Sequence, residues 1–265
     1  MPISLGLSIN TSRRNRTVAA GFSAEAQDYF DRLDTASDTT YTPYKQPLAN
    51  YIDGLVALGG AYWTTMETAA SFVGVGLEGC LVPLKSGMPT LTNNGFVIGD
   101  LNVLTGLLGD TSSSLSTGWS PSSVGQNDFS YSVYCTGTPT INWLAGAGQT
   151  GTGASNIETD GDIRCNGSPQ QATGNAPVSG SMTGASRSVS TGFDWVSAGA
   201  SGTATSTSQT PTVRTLLLFG RTSDLDDTPG NFSDPRIATY HAGPALNLAT
   251  LESLQATLIS EIAAI

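Results

Sequence analysis

The chain has 265 residues, of which only 12% are charged, and its formal net charge is −10. An average globular domain carries about 25% charged residues. Serine and threonine together number 65, and glycine numbers 31. This composition excludes a helix bundle and predicts many short strands joined by turns. Eight Phe, eight Tyr and four Trp supply a hydrophobic core, which excludes a globally disordered chain.

The acidic balance of the chain argues against nucleic acid as a partner. No lysine follows Lys85, and only the first 20 residues could offer the basic face that a duplex or RNA requires. No apolar run approaches the length of a membrane span, so no membrane insertion is predicted. The start of the chain also lacks the charged and long apolar regions of a signal peptide.

Residues 1–20 are predicted to form an extended arm, because an apolar start and three arginines follow no helical periodicity. Such a segment is either a loose terminus or an arm that becomes ordered against a neighbour. Residues 21–75 are predicted to form a small helical region. Ser23 is suited to cap a first helix, a second is expected at 44–58, and a third at 61–72.

Residues 76–243 show the alternation and turn signals of a β domain. In residues 127–135, apolar side chains alternate with serines, which predicts a strand buried on one face. Further strands are predicted at 141–144, 192–196, 213–219 and 236–241. Many short strands separated by Gly-rich and Pro-rich turns predict an antiparallel sandwich or barrel.

Residues 244–265 are predicted to form one amphipathic helix. Its apolar stripe contains Leu248, Leu251, Leu254, Leu258, Ile262 and Ile265. Two interpretations are open: the stripe packs against the sandwich, or it forms a short coiled-coil seam between subunits.

Two stretches of the chain resemble a domain that is common in tailed-phage and prophage structural proteins. The first contains Leu81-Val82-Pro83-Leu84, Pro89-Thr90, Thr92-Asn93-Asn94-Gly95-Phe96-Val97, Gly99-Asp100 and Thr105-Gly106-Leu107. The second contains Phe219-Gly220-Arg221, Asp234-Pro235-Arg236-Ile237-Ala238-Thr239-Tyr240, Gly243, Leu246-Asn247-Leu248-Ala249 and Leu251. The resemblance spans residues 45–265. It implies a mainly β fold, a concanavalin A-like jelly-roll sandwich, carried on a virion in a tail-fibre, head-spike or capsid-decoration protein.

The residues that could carry catalysis or bind a cofactor are few. His241 is the only histidine, and no Gly-x-Ser-x-Gly elbow accompanies it, so we interpret it as structural. The glycines of 146–151 match the letters of a dinucleotide motif, but no helix pattern follows them. Cys80, Cys135 and Cys165 lack paired spacing and are expected to be small buried residues. No cofactor and no catalytic residue are therefore predicted.

The segment Glu158-Thr159-Asp160-Gly161-Asp162 allows more than one interpretation. On a single strand its three carboxylates would share a face, as glycosidase or calcium chemistry requires. The Asp-Gly pair is also typical of a hairpin turn. We favour the turn and predict no metal site.

Trp119, Trp143 and Trp195 are the candidate residues for glycan contact, because an exposed indole can stack on a sugar ring. Core packing is the alternative for these side chains.

The sequence thus predicts a non-enzymatic structural protein on the head or tail surface of a tailed phage or phage-like particle. We expect a fibre or spike subunit that contacts the host surface, with a glycan as its ligand. The alternative is an architectural decoration or connector protein without a ligand, and a glycan-cleaving enzyme is a third hypothesis. The expected partners are further copies of the chain, preferably in a trimer, and other virion proteins bound through the arm.

Overall fold

The structure, a computed structural model, describes residues 21–58, 62–148, 153–167 and 170–265. The predicted arm, residues 1–20, lies outside the described residues.

The helices are α1 (Ala24–Thr35), α2 (Lys45–Ala57), α3 (Tyr62–Thr65) and α4 (Leu248–Ala263). Single 3-10 turns occur at Thr42–Tyr44, Gly79–Leu81, Ile98–Asp100 and Pro121–Ser123. The strands are β1 (Thr68–Ser71), β2 (Thr92–Asn94), β3 (Leu101–Asn102), β4 (Gly106–Leu108), β5 (Ser114–Ser116), β6 (Phe129–Gly137), β7 (Trp143–Ala147), β8 (Ser155–Glu158), β9 (Asp162–Arg164), β10 (Gln171–Ala172), β11 (Ser181–Val189), β12 (Gly192–Ser197), β13 (Ala200–Thr205), β14 (Leu217–Leu218), β15 (Arg221–Thr222), β16 (Pro229–Gly230) and β17 (Arg236–Gly243).

Two antiparallel sheets form a sandwich. Within the described ranges, sheet A has the order β13-β12-β11-β6-β17-β4-β3, with β1 also paired to β17, and sheet B has the order β10-β9-β8-β7-β14-β5-β2. A small third sheet pairs β15 with β16. The predicted fold class, a mainly β antiparallel sandwich with helices before it and one helix after it, is confirmed.

Aromatic side chains and one hydroxyl join the two sheets through the core. Tyr240 of β17 stacks on Phe72 at 5.9 Å, and Phe72 lies 6.4 Å from Phe219, which follows β14. The Tyr131 hydroxyl of β6 donates to the Asn156 carbonyl of β8 at 2.7 Å. Burial of these rings contributes to the hydrophobic stabilisation, and the hydroxyl bond links the facing sheets directly.

The helices form a third layer on the outer face of sheet A. Helix α4 packs on α2 and on strands β11 and β12. The packing of α2 on α4 is tight, since a Cβ added at Gly54 would lie 2.6 Å from Leu254. Asn50 also donates to Glu261 at 3.0 Å. Sheet A is therefore the middle of three layers, and both of its faces are covered.

The first two predicted helices are confirmed, and the third is wrong. Ser23 caps α1 by accepting from the Ala26 amide at 3.1 Å. The third predicted helix, residues 61–72, is helical only at Tyr62–Thr65, and the chain then enters strand β1. Pairing with β17 overrides the local pattern, because a short apolar run suits a strand or a helix equally well.

The strand predictions hold at 192–196 and 236–241 and need correction elsewhere. The strand predicted at 127–135 exists as β6, but its serines are buried as well, because the helical layer covers the second face. The strand expected at 141–144 starts only at Trp143, since Asn142 has a positive φ of 56°. In 213–219 only Leu217–Leu218 is strand, because side-chain oxygens accept from the preceding amides.

The terminal helix packs on its own chain. The stripe residues Leu248, Leu251, Leu258 and Ile262 are buried against α2 and sheet A. The prediction that the stripe covers the sandwich is confirmed, and the coiled-coil seam is wrong for this stripe. No described helix has the length and apolar character to cross a membrane.

A buried arginine joins the edge of sheet A to the loops beside it. The Arg187 side chain is fully buried and donates to the carbonyls of Cys165 at 2.6 Å, Ser206 at 2.9 Å and Gly192 at 3.1 Å. Its guanidinium also lies over the Phe193 ring at 5.4 Å. Hydrogen bonds to a charged donor are the stronger kind, so this side chain holds the β11–β13 edge in place.

We expect Arg187→Leu to lower the free energy of unfolding by about 3 kcal/mol or more, because several buried carbonyls lose a charged donor. Urea denaturation measures the change. Arg214→Leu is the control, since half-buried Arg214 donates to the Asp224 carbonyl at 3.2 Å and should cost about 1 kcal/mol. Equal losses in the two variants would contradict the role of Arg187.

Candidate functional site

The three tryptophans proposed for glycan contact lie in different parts of the fold. Trp119 follows β5, Trp143 begins β7 of sheet B, and Trp195 lies in β12 of sheet A. The structure therefore does not assemble them into one aromatic surface, and each is a separate candidate.

Trp119 is 4% exposed and belongs to the core, where it stacks on Phe129 at 6.0 Å. Its edge reaches a polar cleft of about 700 Å³, which Lys85 and Glu67 also line. The Lys85 ammonium is held inside this region by the carbonyls of Trp63, Thr64 and Met66 at 2.8–3.0 Å. Trp119 thus offers little surface on which a sugar ring could stack.

Trp195 is half-buried beside a shallow pocket of about 280 Å³. Its ring lies across Gly202 of β13, where an added Cβ would meet the indole at 2.7 Å. Asp194, whose carboxylate accepts from Thr203 at 2.8 Å, and Asn247 also line this pocket.

Trp143 is half-buried on the outer face of sheet B and lies against an arginine. The Arg221 guanidinium lies 3.9 Å from the centre of its ring. The Asn231 side-chain amide is oriented with its oxygen towards the guanidinium, and this oxygen accepts from Arg221 Nε at 2.8 Å and from Nη2 at 2.9 Å. A guanidinium over an indole is a favourable cation–π pair, so the ring is held firmly on one side. Arg221 therefore covers one face of the ring, and the face opposite Arg221 is the candidate stacking surface.

Carboxylates, an amide and a second arginine lie on β8, on β9 and just before β10, on the side of the sheet next to this indole. Glu158 is the cross-strand neighbour of Trp143. The Gln170 amide nitrogen donates to Glu158 and, at 3.0 Å, to Asp162, while its oxygen accepts from Arg164 at 3.1 Å. We call Trp143, Glu158, Asp162, Arg164, Gln170 and Arg221 the Trp143 site.

The backbone explains why these side chains share a face. Ile157 and Ile163 are fully buried between the sheets, so their neighbours Glu158, Asp162 and Arg164 face outward. Asp160 and Gly161 form the turn between β8 and β9, with a positive φ of 92° at Gly161. The turn prediction is confirmed, and the single-strand interpretation of the three carboxylates is wrong.

Burial and mutual repulsion change the protonation of the acidic residues. Loss of solvent, followed by the charges of Asp160 and Asp162, raises the pKa of Glu158 to about 7 against the opposing effects of Gln170 and Arg221. Burial also raises the pKa of Asp162, and the charge of Asp160 adds to this. Near neutral pH the site therefore holds a partly protonated Glu158 beside two arginines, and it is close to neutral overall.

The three carboxylates could hold a cation. One oxygen each from Glu158, Asp160 and Asp162 lies within 4.8 Å of the others. Calcium takes six to eight oxygen ligands, so water or a ligand would have to supply the remainder. Gln170 already bonds to Glu158 and Asp162, which makes hydrogen bonding the role that the structure supports directly.

His241 and the three cysteines take no part in any of these sites. His241 is 1% exposed, and burial lowers its pKa to about 3. Cys80, Cys135 and Cys165 are buried as free thiols, as expected.

The sequence indicated Trp143 and Glu158 but missed Arg221, Arg164 and Gln170. Gln170 precedes β10 by one residue and carries no motif. Arg221 lies within the Phe219-Gly220-Arg221 stretch, yet its contact with Trp143 depends on the third sheet folding over β7. The low content of charged residues was the feature of the sequence that could have pointed to these arginines. Where charged residues are few, an arginine within a β domain is expected to have a specific structural or binding role.

Glu158 should make the stability of the protein depend on pH. Because its pKa is raised in the folded state from 4.5 to about 7, its stabilising contribution is complete below pH 4.5 and is lost as pH rises towards 7. Glu158→Gln mimics the protonated form. We expect its urea midpoint to match the unmodified protein at pH 4.5 and to exceed it at pH 8.

The measurement is made with chelator present, so that no cation alters the carboxylates. Glu78→Gln, at an exposed position, is the control and should follow the unmodified protein at both pH values. A Glu158→Gln variant with no gain at pH 8 would contradict the raised pKa.

No protein-family model matches the chain, and no curated protein matches it. Among solved structures, the chain is similar to domain 4 of AbnA, a GH43 extracellular arabinanase from Geobacillus stearothermophilus, solved in complex with arabinotriose. The two share 13% identity with a TM-score of 0.46, over 72% of this chain and 98% of the other. We base the functional proposal on the residues of the Trp143 site.

Proposed function

We propose that this chain is a non-catalytic, glycan-binding subunit of a fibre or spike on the surface of a tailed phage or phage-like particle. The observation that carries the binding function is the Trp143 ring, which Arg221 covers on one side and which lies across the strands from Glu158, itself joined by Gln170 to Asp162.

The chemistry of a sugar fits this arrangement. A pyranose or furanose ring has an apolar C–H face and a rim of hydroxyl groups. The free face of Trp143 accepts the apolar face, and the hydroxyls donate to Glu158 and Asp162 or accept from Arg164. Hydrogen bonds that involve a charged partner are the stronger kind, and a side chain already held in place loses little entropy on binding.

The same geometry favours binding over hydrolysis. Glycosidases place two carboxyl groups about 5–5.5 Å or about 6.5–9.5 Å apart across the scissile bond. Here Glu158, Asp160 and Asp162 come from one hairpin, with one oxygen of each within 4.8 Å of the others, rather than from two facing walls of a cleft. Gln170 also ties Glu158 to Asp162, so neither group is free to act alone.

The virion location is supported by the two stretches that resemble phage structural proteins. The first stretch, residues 81–107, includes strands β2, β3 and part of β4, and the second includes β15 to β17 and the start of α4. Both stretches thus meet at β17 in sheet A, where β4 is its neighbour.

An architectural subunit without a ligand is the second candidate, and one surface feature favours it. Four exposed large hydrophobic residues fall within one short segment around β3 and β4: Val97, Ile98, Leu104 and Leu108. Ile98 is 72% exposed. Exposed apolar residues grouped in this way are typical of a contact with another protein.

We also propose that the chain forms homo-oligomers, preferably trimers, and joins other virion proteins through residues 1–20. The arm holds three arginines and no acidic residue. The rest of the chain then has eight basic and 21 acidic residues, a net charge of −13. Opposite charge favours docking of the arm on an acidic neighbour such as a second copy.

The glycan proposal predicts that Trp143→Ala abolishes or strongly weakens sugar binding. A glycan array probed with the full chain identifies a ligand, and calorimetry then measures its affinity. We expect Trp143→Ala to lose at least tenfold in affinity, about 1.4 kcal/mol, because the stacking surface is removed.

Trp63→Ala is the matched control, because it removes a half-buried indole that is not a candidate for glycan contact and should leave affinity unchanged. Thermal melting checks that both variants fold. Silence of the array at saturating protein, or an equal loss in the two variants, would refute the Trp143 site as a glycan site.

The assembly proposal predicts that a chain lacking residues 1–20 folds but does not join particles. Circular dichroism tests folding, and imaging of particles with a label near the C-terminus tests incorporation. Full-length protein should place the label at fibre or spike tips. A label spread over the shell would support the architectural candidate, and incorporation of the shortened chain would show that the arm is dispensable.

A further inference from the structure

Strand β13 forms the longest free sheet edge among the described residues. It pairs only with β12, at one end of sheet A, and has six residues. The other described strands at the ends of sheets A and B, β1, β2, β3 and β10, have two to four. Proteins protect long edges with proline, charged side chains or a bulge, because free backbone groups pair readily with another strand. Strand β13 has none of these protections, and its register with β12 is unbroken.

The turn before β13 shows which of its backbone groups face away from β12. Ala198 and Gly199 have positive φ values of 53° and 74°, as in a two-residue type I′ hairpin. The pair that closes such a hairpin, here Ser197 and Ala200, is hydrogen-bonded, and hydrogen-bonded pairs then alternate with pairs that are not. Every second residue of β13 therefore directs its amide and carbonyl to the free edge. These residues are Ser201, Thr203 and Thr205.

The two faces of β13 differ in polarity. Its exposed face carries only hydroxyl side chains, from Ser201, Thr203 and Thr205. The other face carries Ala200, Gly202 and Ala204, and it is shared with Phe193, which is buried in the core. On this second face the half-buried Trp195 ring lies across Gly202, towards the free edge. A strand that pairs here should carry large apolar residues on the indole side and polar residues on the other.

Residues 3–9 of the chain have this pattern. Four large apolar residues alternate with small ones: Ile3, Leu5, Leu7 and Ile9 with Ser4, Gly6 and Ser8 between them. Alternation of period two over this length is typical of a strand with one buried face. Three arginines follow within residues 10–20, and Asp194 is the only charged residue of the β12–β13 hairpin. Length, polarity and charge thus all suit this segment to the β13 edge.

The place where α1 begins favours the β13 edge of a neighbouring copy. Ala24, the first residue of α1, shares a surface pocket with Trp63 and Lys85. The Lys85 ammonium donates to the Met66 carbonyl at 3.0 Å, two residues before β1. Strands β17, β6, β11 and β12 separate β1 from β13 in sheet A. Helix α1 therefore begins far across the sheet from the β13 edge of its own chain.

We propose that residues 3–9 of one copy add a strand to the β13 edge of the next copy, with their large apolar side chains beside Trp195. This proposal rests on the homo-oligomer proposed above, and it names the surface that receives the arm. Each copy gives one strand and receives one, so the contact is head-to-tail. Such contacts close into a ring, of which a trimer is one example.

Two substitutions in the arm test the alternation. Leu7→Asp places a carboxylate on the apolar side of the segment, and Ser8→Asp places the same charge on its polar side. In sedimentation velocity of the full chain, we expect the unmodified protein and Ser8→Asp to be oligomers. Leu7→Asp should sediment as the 27.3 kDa monomer, with an association constant lower by about tenfold or more. Equal behaviour of the two variants would overturn the proposal.

Two substitutions at Thr203 test the receiving edge. Thr203→Pro removes the central amide of the free edge, whereas Thr203→Val keeps that amide. Both lose the Thr203 hydroxyl bond to Asp194, and proline is tolerated where an edge amide faces away from the partner strand. Circular dichroism checks that both variants fold, and only Thr203→Pro should dissociate. Dissociation of both folded variants, or of neither, would overturn the role of β13.

A photo-cross-linking residue, p-benzoylphenylalanine, in place of Leu5 identifies the receiving copy. Isotope-labelled and unlabelled full chains are unfolded, mixed and refolded together, and mass spectrometry then maps the cross-links. We expect links between the two labels, at Trp195 or within residues 200–205. Links confined to one label, or links to another surface, would overturn the proposal.

The same experiments separate this proposal from the proposed function on which it rests. An oligomer that persists in Leu7→Asp would refute the added strand and leave the homo-oligomer standing. A monomeric unmodified chain would refute both. Glycan binding at the Trp143 site is measured independently and decides neither.

Discussion

Strand β17 is hydrogen-bonded along both of its edges, and the rest of the structure depends on this pairing. One edge pairs with β6, and the other pairs with β4 at its start and with β1 further on. Successive side chains then face opposite layers: Tyr240 stacks in the sandwich core, whereas His241 contacts Tyr62 beneath the helices. One strand thereby joins the N-terminal segment, both core layers and the helical layer.

This arrangement decides where a ligand can bind. Helices α2 and α4 cover the outer face of sheet A, so its central strands are buried on both sides. Sheet B keeps an outward face on β8 and β9, and the small β15–β16 sheet lies along only part of it. Trp143 lies at that border, with Arg221 over its ring and Glu158 as its cross-strand neighbour. Most of the site is built on paired strands and one hairpin, which favours recognition of a ligand without large rearrangement.

The elements that sequence patterns predicted are those that local periodicity dictates. Helix α1 has a capping serine, α2 has apolar residues at helical spacing and β6 alternates apolar residues with serines, and these elements formed as expected. Strand β1 was predicted as helix, because its four residues become a strand only by pairing with β17, far along the chain.

The residues of the candidate site also fall into two groups, those that the sequence indicated and those that only the fold brings together. Trp143 could be predicted from its residue type and Glu158 from the acidic segment that contains it. Gln170 and Arg221 complete the site through contacts between distant segments, which no local pattern encodes.

Two polar regions of the fold differ in charge and access, and the difference separates their roles. The Trp143 site gathers two arginines and several carboxylates at the surface, where a raised pKa at Glu158 reports partial loss of solvent. The buried polar side chains between the helical layer and sheet A, such as His241 and Gln255, carry no charge near neutral pH. Charged groups keep a surface hydrated and selective for hydroxyl-rich ligands, whereas neutral groups cost less to bury between layers. The same serine-rich and threonine-rich composition thus serves a binding face outside the sandwich and a structural seam within it.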